Sequence, residues 1–358
     1  MKFLVYGCGA IGGYVGGSLA LMGHAVTFIA RPAQAEAIHA RGLTVRHKLE
    51  SRVTSQVSAV TSPAEAFSTN NTYDCIIIAL KSFDTDNAIA DLRAARGQAA
   101  HGQARGLPLL TILCLQNGVD NEPKFAAAFG EGKVIAGTVL TAVGVPAPGE
   151  IAVEKSRGIG LFGGHPLSAA LASAFESAGI VTRLYANAYA LKWTKLLTNL
   201  MANATSAICD MTTEAVLDHP GLYRIEIGAL REALAVMDAK GIPVVPLPRT
   251  PTVALAFALR YLPPSWYQPI FRRAIAGGRG EKMPSLHLDL RAGKRRSEVS
   301  YLNGAVARHA AQVGLGAPIN RALTETLEAI LEGKVAWEEY QGRPERLVEE
   351  IRRVTNDE

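Results

Sequence analysis

Little in this sequence points to disulfides, a bound metal, nucleic acid or a membrane. Cysteine is sparse: Cys8, Cys75, Cys114 and Cys209 are the whole complement, widely spaced and without a C-x-x-C pair. That spacing supports neither a disulfide framework nor a metal site, and buried, reduced thiols are expected. Two short basic clusters, Arg272-Arg273 and Lys294-Arg295-Arg296, do not extend into long runs interleaved with aromatics. Solvated loops account for them, so no nucleic-acid partner is expected. The uncharged stretch from Phe3 to Ala30 has the length of a membrane anchor or signal peptide, yet seven glycines break it and no small-residue cleavage site follows a compact apolar core. A soluble, cytoplasmic chain without a membrane partner is expected.

What is present is an ordinary globular composition, 48% hydrophobic and 19% charged over 358 residues, enough for two domains with sizeable cores. The net charge of +5 suits polyanionic cofactors and acids. Lys2 to Tyr6 is a short apolar run that leads into Gly7-Cys8-Gly9-Ala10-Ile11-Gly12-Gly13, then a helical pattern from Tyr14 to Met22, then a second strand from Ala25 to Ala30. A G-x-G-x-x-G element is weak alone, but between a strand and a helix it marks a dinucleotide-binding turn. Gly7 permits the tight turn, Gly9 lets a pyrophosphate approach the backbone, and Gly12 allows close packing, while the helix N-terminus offers N–H groups to an anion. NAD-specific folds place Asp or Glu at the end of the second strand. Here Ala30 is followed by Arg31, whose guanidinium suits a 2′-phosphate, so NADP(H) is the expected cofactor.

The apolar run from Tyr73 to Leu80 reads as a buried parallel strand that delivers Lys81 to the carboxyl edge, where open α/β sheets bind ligands. Leu109 to Leu115 repeats the pattern and delivers Gln116-Asn117-Gly118, where Asn117 serves either a turn or ligand binding. Between these strands, Ala94 to Leu107 reads as a surface excursion. Val134 to Leu161 reads as hairpin-like strands extending the sheet, and Ile180 to Tyr185 as its last strand. Beyond Tyr185 the periodicity is almost purely helical, through Thr212 to Lys240, Tyr301 to Gly314 and Ile319 to Leu331. The expected fold is α/β: a Rossmann-type dinucleotide-binding domain over 1–185, followed by a mainly α-helical substrate and catalytic domain over 186–358. A proline-rich segment at 241–281 reads as a lid or a partner-contacting hairpin.

The stretch from Lys192 to Asn203 reads as one helix. At about 100° per residue, Lys192, Lys195, Asn199 and Asn203 fall within roughly 80° of one another, while Leu196, Leu197, Leu200 and Met201 cover much of the rest. Asn is a poor helix former, because its amide competes for backbone hydrogen bonds, so two in register mark either an exposed face that tolerates them or a face with a role of its own.

The glycine turn, Arg31, Lys81, Gln116-Asn117-Gly118, Trp193-x-Lys195-Leu196-x-x-Asn199-x-x-x-Asn203, Ser285 to Asp289, and Ser297-Glu298-Val299-Ser300-Tyr301-Leu302-Asn303-Gly304 occur in one order along the chain. Together they resemble the ketopantoate reductase (2-dehydropantoate 2-reductase) family over nearly the whole length. The resemblance implies NADPH and a small 2-oxo acid bound between a Rossmann domain and a helical domain. It implies that Lys195 polarises the 2-oxo group and supports its protonation, and that Asn199 and Asn203 hydrogen-bond the substrate. Ser285 would hold the substrate carboxylate, and Asn117 would line the nicotinamide and substrate region. Glu298 would contact the cofactor side and the substrate hydroxyl, or assist proton transfer. Gly7, Cys8, Gly9, Ala10, Ile11 and Gly12 would cradle the pyrophosphate, with Arg31 and Lys81 at the adenosine end.

Two departures stand close to the inferred substrate side: the 241–281 segment and the link from Asp289 to Glu298 are longer than the family pattern suggests. They leave room for a related dehydrogenase acting on another 2-oxo or hydroxy acid. A dinucleotide-sensing protein without catalysis is the reading from another class, and retention of Lys195, Asn199, Asn203 and Glu298 argues against it. A homodimer is compatible with the sequence.

Overall fold

The computed structural model describes residues 1–47, 50–69, 72–102, 111–263, 266 and 283–356. It falls into two compact units, Met1–Lys192 and Trp193–Glu358.

The first unit is built on β1 (Lys2–Tyr6), β2 (Ala25–Ile29), β3 (Leu43–His47), β4 (Glu50–Thr54), β5 (Val57–Val60), β6 (Cys75–Ile78), β7 (Ile112–Cys114), β8 (Val134–Val139), β9 (Ala142–Gly144), β10 (Glu150–Lys155), β11 (Ile159–Phe162) and β12 (Thr182–Tyr185). Eight of these form one sheet in the order β12-β11-β8-β7-β6-β1-β2-β5, parallel throughout except where β11 runs against β8. Successive side chains leave a strand on opposite faces. Phe3, Val5, Cys75, Ile77 and Leu113 therefore enter one core, while Leu4, Ile76, Ile78, Ile112 and Cys114 enter the other. Burial on both faces is why Cys75-Ile76-Ile77-Ile78 is apolar without alternation.

The region from Val134 to Leu161 departs from expectation. β8 and β11 extend the large sheet, but β9 and β10 join β3 and β4 in a second, four-stranded sheet of order β4-β3-β10-β9. The pairing that creates it is parallel, Ile151 beside Val45, between segments about a hundred residues apart, and no local pattern announces it. The helix Ala10–Leu21 lies against both sheets. A Cβ at Gly13 would fall 2.4 Å from Ile151 of the second sheet, and one at Gly16 would fall 2.6 Å from Phe28 of the first. Close approach on two sides explains why this helix is apolar all round rather than amphipathic. The expected surface excursion from Ala94 is instead the continuation of a helix, Thr85–Gly102; residues 103–107 lie outside the described residues.

The helix Ala188–Leu200 runs across the division, its first turns in one unit and its last in the other. In the second unit the expected Thr212–Lys240 helix is two, Thr213–Asp218 and Pro220–Ala239. Pro220 sits in the first turn, where its missing N–H leaves no bond unmade, and His219 Nδ1 accepts the amide of Leu222 at 3.2 Å. Helices Asn303–Gln312, Pro318–Leu331 and Pro344–Asn356 complete a helical unit. Of the 241–281 segment, the helix Thr252–Tyr261 is described, with its entry tied down where Val245 N–H donates to Thr194 Oγ1 at 3.0 Å. Residues 264–265 and 267–281 lie outside the described residues, and with them the lid or hairpin reading. Among the described residues, no helix is long and apolar enough to cross a membrane.

Candidate active site

Parallel pairing brings the polar strand ends to one edge. Tyr6, Ile29, Ile78 and Cys114 stand in one row of the register, so Gly7, Ala30–Arg31, Ala79–Lys81 and Leu115–Asn117 all emerge at the carboxyl ends of adjacent strands. Gly7 turns with φ +103°. A Cβ there would lie 2.9 Å from the Ala79 carbonyl oxygen, and one at Gly12 would lie 1.8 Å from that of Gly7. Gly9 is the opposite case, since a Cβ at this position would meet nothing within 4 Å. Gly9 also opens the helix with no side-chain cap, and Ala10, Ile11 and the rest of the first turn carry no acid. Open space beside uncapped N–H groups at a helix start fits a pyrophosphate. Burial pushes the Cys8 thiol up to about 12, against the hydrogen bond from Gln34, so the turn holds no competing negative charge.

Arg31 is exposed at the start of the helix Pro32–Arg41, and Lys81 is half-buried at the start of the 3-10 turn Ser82–Asp84. Asn117 is half-buried, and its carbonyl is fixed from two sides by Ser82 Oγ at 2.8 Å and Asn121 Nδ2 at 2.6 Å. Thr85 Oγ1 donates to Asn121 Oδ1 at 2.8 Å and accepts from Gln116 Nε2 at 2.9 Å. Beneath this network Lys192 Nζ donates to the carbonyl of Gln116 at 2.6 Å and to that of Gly137 at 3.3 Å, and pairs with Glu122 Oε1 at 2.8 Å. Lys192, read from periodicity as part of a polar stripe, is in fact only 4% exposed. Periodicity reports direction around a helix axis; it carries no information on whether a carboxylate waits there.

The second unit holds the other expected residues. On the helix Ala188–Leu200, Trp193, Leu196, Leu197 and Leu200 are buried, while Lys195, Thr198 and Asn199 are half-buried on one face. The expected single helix through Asn203 does not form. It ends at Leu200, Ala202 takes a left-handed φ of +48°, and Asn203 begins a new helix, Ala204–Cys209. The break turns Asn203 inward, where it is 3% exposed. Its Nδ2 donates to the Asn199 carbonyl at 3.0 Å and its Oδ1 accepts the Leu286 amide at 3.1 Å. Ser285 is the exposed first residue of the helix Ser285–Arg291, so Asn199, Asn203 and Ser285 are joined by direct bonds and chain adjacency. Glu298 is buried on a separate segment, opening the 3-10 turn Val299–Tyr301.

Sequence reading missed Glu226, 3% exposed, whose Oε2 accepts the Ala202 amide and whose Oε1 accepts Thr205 Oγ1, both at 2.6 Å. A signal existed: an acid stands among Leu222, Ala229, Leu230 and Ala233 on the buried face of an amphipathic helix.

The profile described as Ketopantoate reductase PanE/ApbA matches residues 3–163, and its C-terminal counterpart matches residues 187–331. The chain belongs to the ketopantoate reductase family. Among ketopantoate reductase relatives, a 2-dehydropantoate 2-reductase from Pyrococcus horikoshii is 27% identical over 335 residues, spanning 92% of this chain and 97% of its own. The crystal structure of a PanE/ApbA family ketopantoate reductase from Ralstonia eutropha JMP134 has a TM-score of 0.77 at 27% identity, covering 93% of this chain and 99% of that one. D-mandelate dehydrogenase with NADH and anilino(oxo)acetate has a TM-score of 0.74 at 20% identity over 93% of this chain and 99% of its own, a likeness of fold alone.

Proposed function

We propose that this ketopantoate reductase family member reduces 2-dehydropantoate to pantoate with NADPH, a step toward pantothenate and coenzyme A. The observation that carries the reading is the joining of Asn199, Asn203 and the Ser285 helix, one turn from Lys195, in a chain that also builds an uncapped glycine turn. Gly7 to Gly12 hold the pyrophosphate, and Arg31 and Lys81 take the adenosine phosphate end. Bound NADPH supplies the hydride. Reduction of a ketone develops negative charge on its oxygen, and Lys195 stabilises that charge and delivers the proton. Asn199 hydrogen-bonds the substrate, Asn203 fixes Asn199 and the Ser285 helix, and the Ser285 hydroxyl receives the carboxylate. Asn117 faces the nicotinamide and substrate, and Glu298 binds the substrate hydroxyl or assists the proton.

The test is a steady-state panel of 2-oxo acids with NADPH. The highest kcat/KM is expected for 2-dehydropantoate; a far higher value for another acid would move the protein to the runner-up reading, a related NADP-dependent dehydrogenase. Arg31→Ala tests the cofactor separately. It is expected to weaken NADPH by about 10- to 100-fold, the worth of a charge-assisted hydrogen-bond pair, and to leave NADH nearly unchanged. Equal weakening of both would remove the 2′-phosphate assignment.

A further inference from the structure

The break at Ala202 has no local cause in sequence. Ala is a strong helix former and avoids positive φ, because its Cβ crowds the backbone there. Yet the helix stops at Leu200 and Ala202 sits at φ +48°. What stands against that preference is one carboxylate. Glu226 is reached from Pro220–Ala239, it is buried, and its two oxygens take the Ala202 amide and the Thr205 hydroxyl. These bonds span the step, since Ala202 lies in the break and Thr205 in the first turn of the next helix. Asn203 stands between them. Its amide then reaches back to the Asn199 carbonyl and across to the Leu286 amide, one residue from Ser285.

We propose that Glu226 is a positioning residue: its carboxylate holds the left-handed step that sets Asn199, Asn203 and the Ser285 helix in register for the substrate. Glu226 acts through the Ala202 backbone amide and the Thr205 hydroxyl. The inference rests on the assignment of Asn199 and Ser285 to substrate binding made above. Without the carboxylate, Ala202 returns toward right-handed geometry, the helix runs on past Leu200, and Asn203 rotates off the Leu286 amide.

Three variants separate positioning from simple packing. Glu226→Ala is expected to raise KM for the best 2-oxo acid of the panel about tenfold or more, with NADPH affinity within about twofold. Glu226→Gln keeps an acceptor for the Ala202 amide and should retain most of the wild-type KM. Ala202→Gly placed in the Glu226→Ala background is expected to restore KM to within about threefold, because glycine holds positive φ without help. A core defect would not be repaired by removing a methyl group from a different residue. Amide hydrogen exchange at Ala202 and Leu286, measured without substrate, should quicken about tenfold or more in Glu226→Ala and recover in the double variant. If no 2-oxo acid is turned over, the proposed function fails while exchange still decides the positioning. Unchanged exchange at Leu286, or no recovery with Ala202→Gly, overturns the inference. If Glu226→Ala does not fold, Glu226→Met, which fills the volume but cannot take the place of the carboxylate acceptor, gives the same comparison with and without Ala202→Gly, and no recovery in the double variant likewise overturns the inference.

Discussion

Lys195→Ala is expected to lower kcat about a thousandfold or more while leaving NADPH affinity within about threefold and stability within about 0.5 kcal/mol. The size follows from the chemistry. A cation preorganised at a developing alkoxide acts where charge appears, so its loss is felt in the transition state far more than in the bound substrate. The small effect on stability follows from position: Lys195 is half-buried on the polar face, while Trp193, Leu196 and Leu197 carry the packing. Stopped-flow turnover, cofactor titration by fluorescence and urea unfolding on one preparation measure all three. Turnover within tenfold of wild type would refute the role given to Lys195.

Lys192→Met is expected to do the reverse. Lys192 and Glu122 form a buried pair, with side-chain exposures of 5% and 14%, and the lysine also satisfies the carbonyls of Gln116 and Gly137. Removing one partner strands the other charge in a poorly solvated place, a loss of about 3–5 kcal/mol. Urea unfolding should show a drop of that order. The double variant Lys192→Met with Glu122→Gln should recover a substantial part, since no charge is then left unpaired. KM should rise as well, because Gln116 and Asn117 lose the anchor beneath them. A loss under about 1 kcal/mol would show that the pair does not hold the Asn117 loop. Two lysines three residues apart on one helix are thus assigned opposite effects, one on turnover and one on stability, and the same two measurements tell them apart.

Much of the first unit was legible because its signals are local. A glycine turn needs only its own backbone and the start of one helix, and a buried parallel strand declares itself by an unbroken apolar run such as Cys75 to Ile78. Candidate residues at strand ends followed from the same logic, since strand direction alone sends Lys81 and Asn117 to one edge. Membership of the ketopantoate reductase family, visible as motifs in order, stands on matches over residues 3–163 and 187–331.

Where local preference and distant contact disagreed, the tertiary structure decided. By itself the sequence determined the glycine turn, the apolar strands, the helical character of the second unit and the identity of the half-buried face that carries Lys195 and Asn199. Only the fold decided that β3 pairs with β10, that Lys192 is a buried ion-pair partner, and that the helix breaks before Asn203. The physical reason is common to all three. Each depends on a hydrogen bond or charge supplied from far along the chain, by Glu150–Lys155, by Glu122 and by Glu226, and such a contribution outweighs the few tenths of a kcal/mol that local propensity carries per residue.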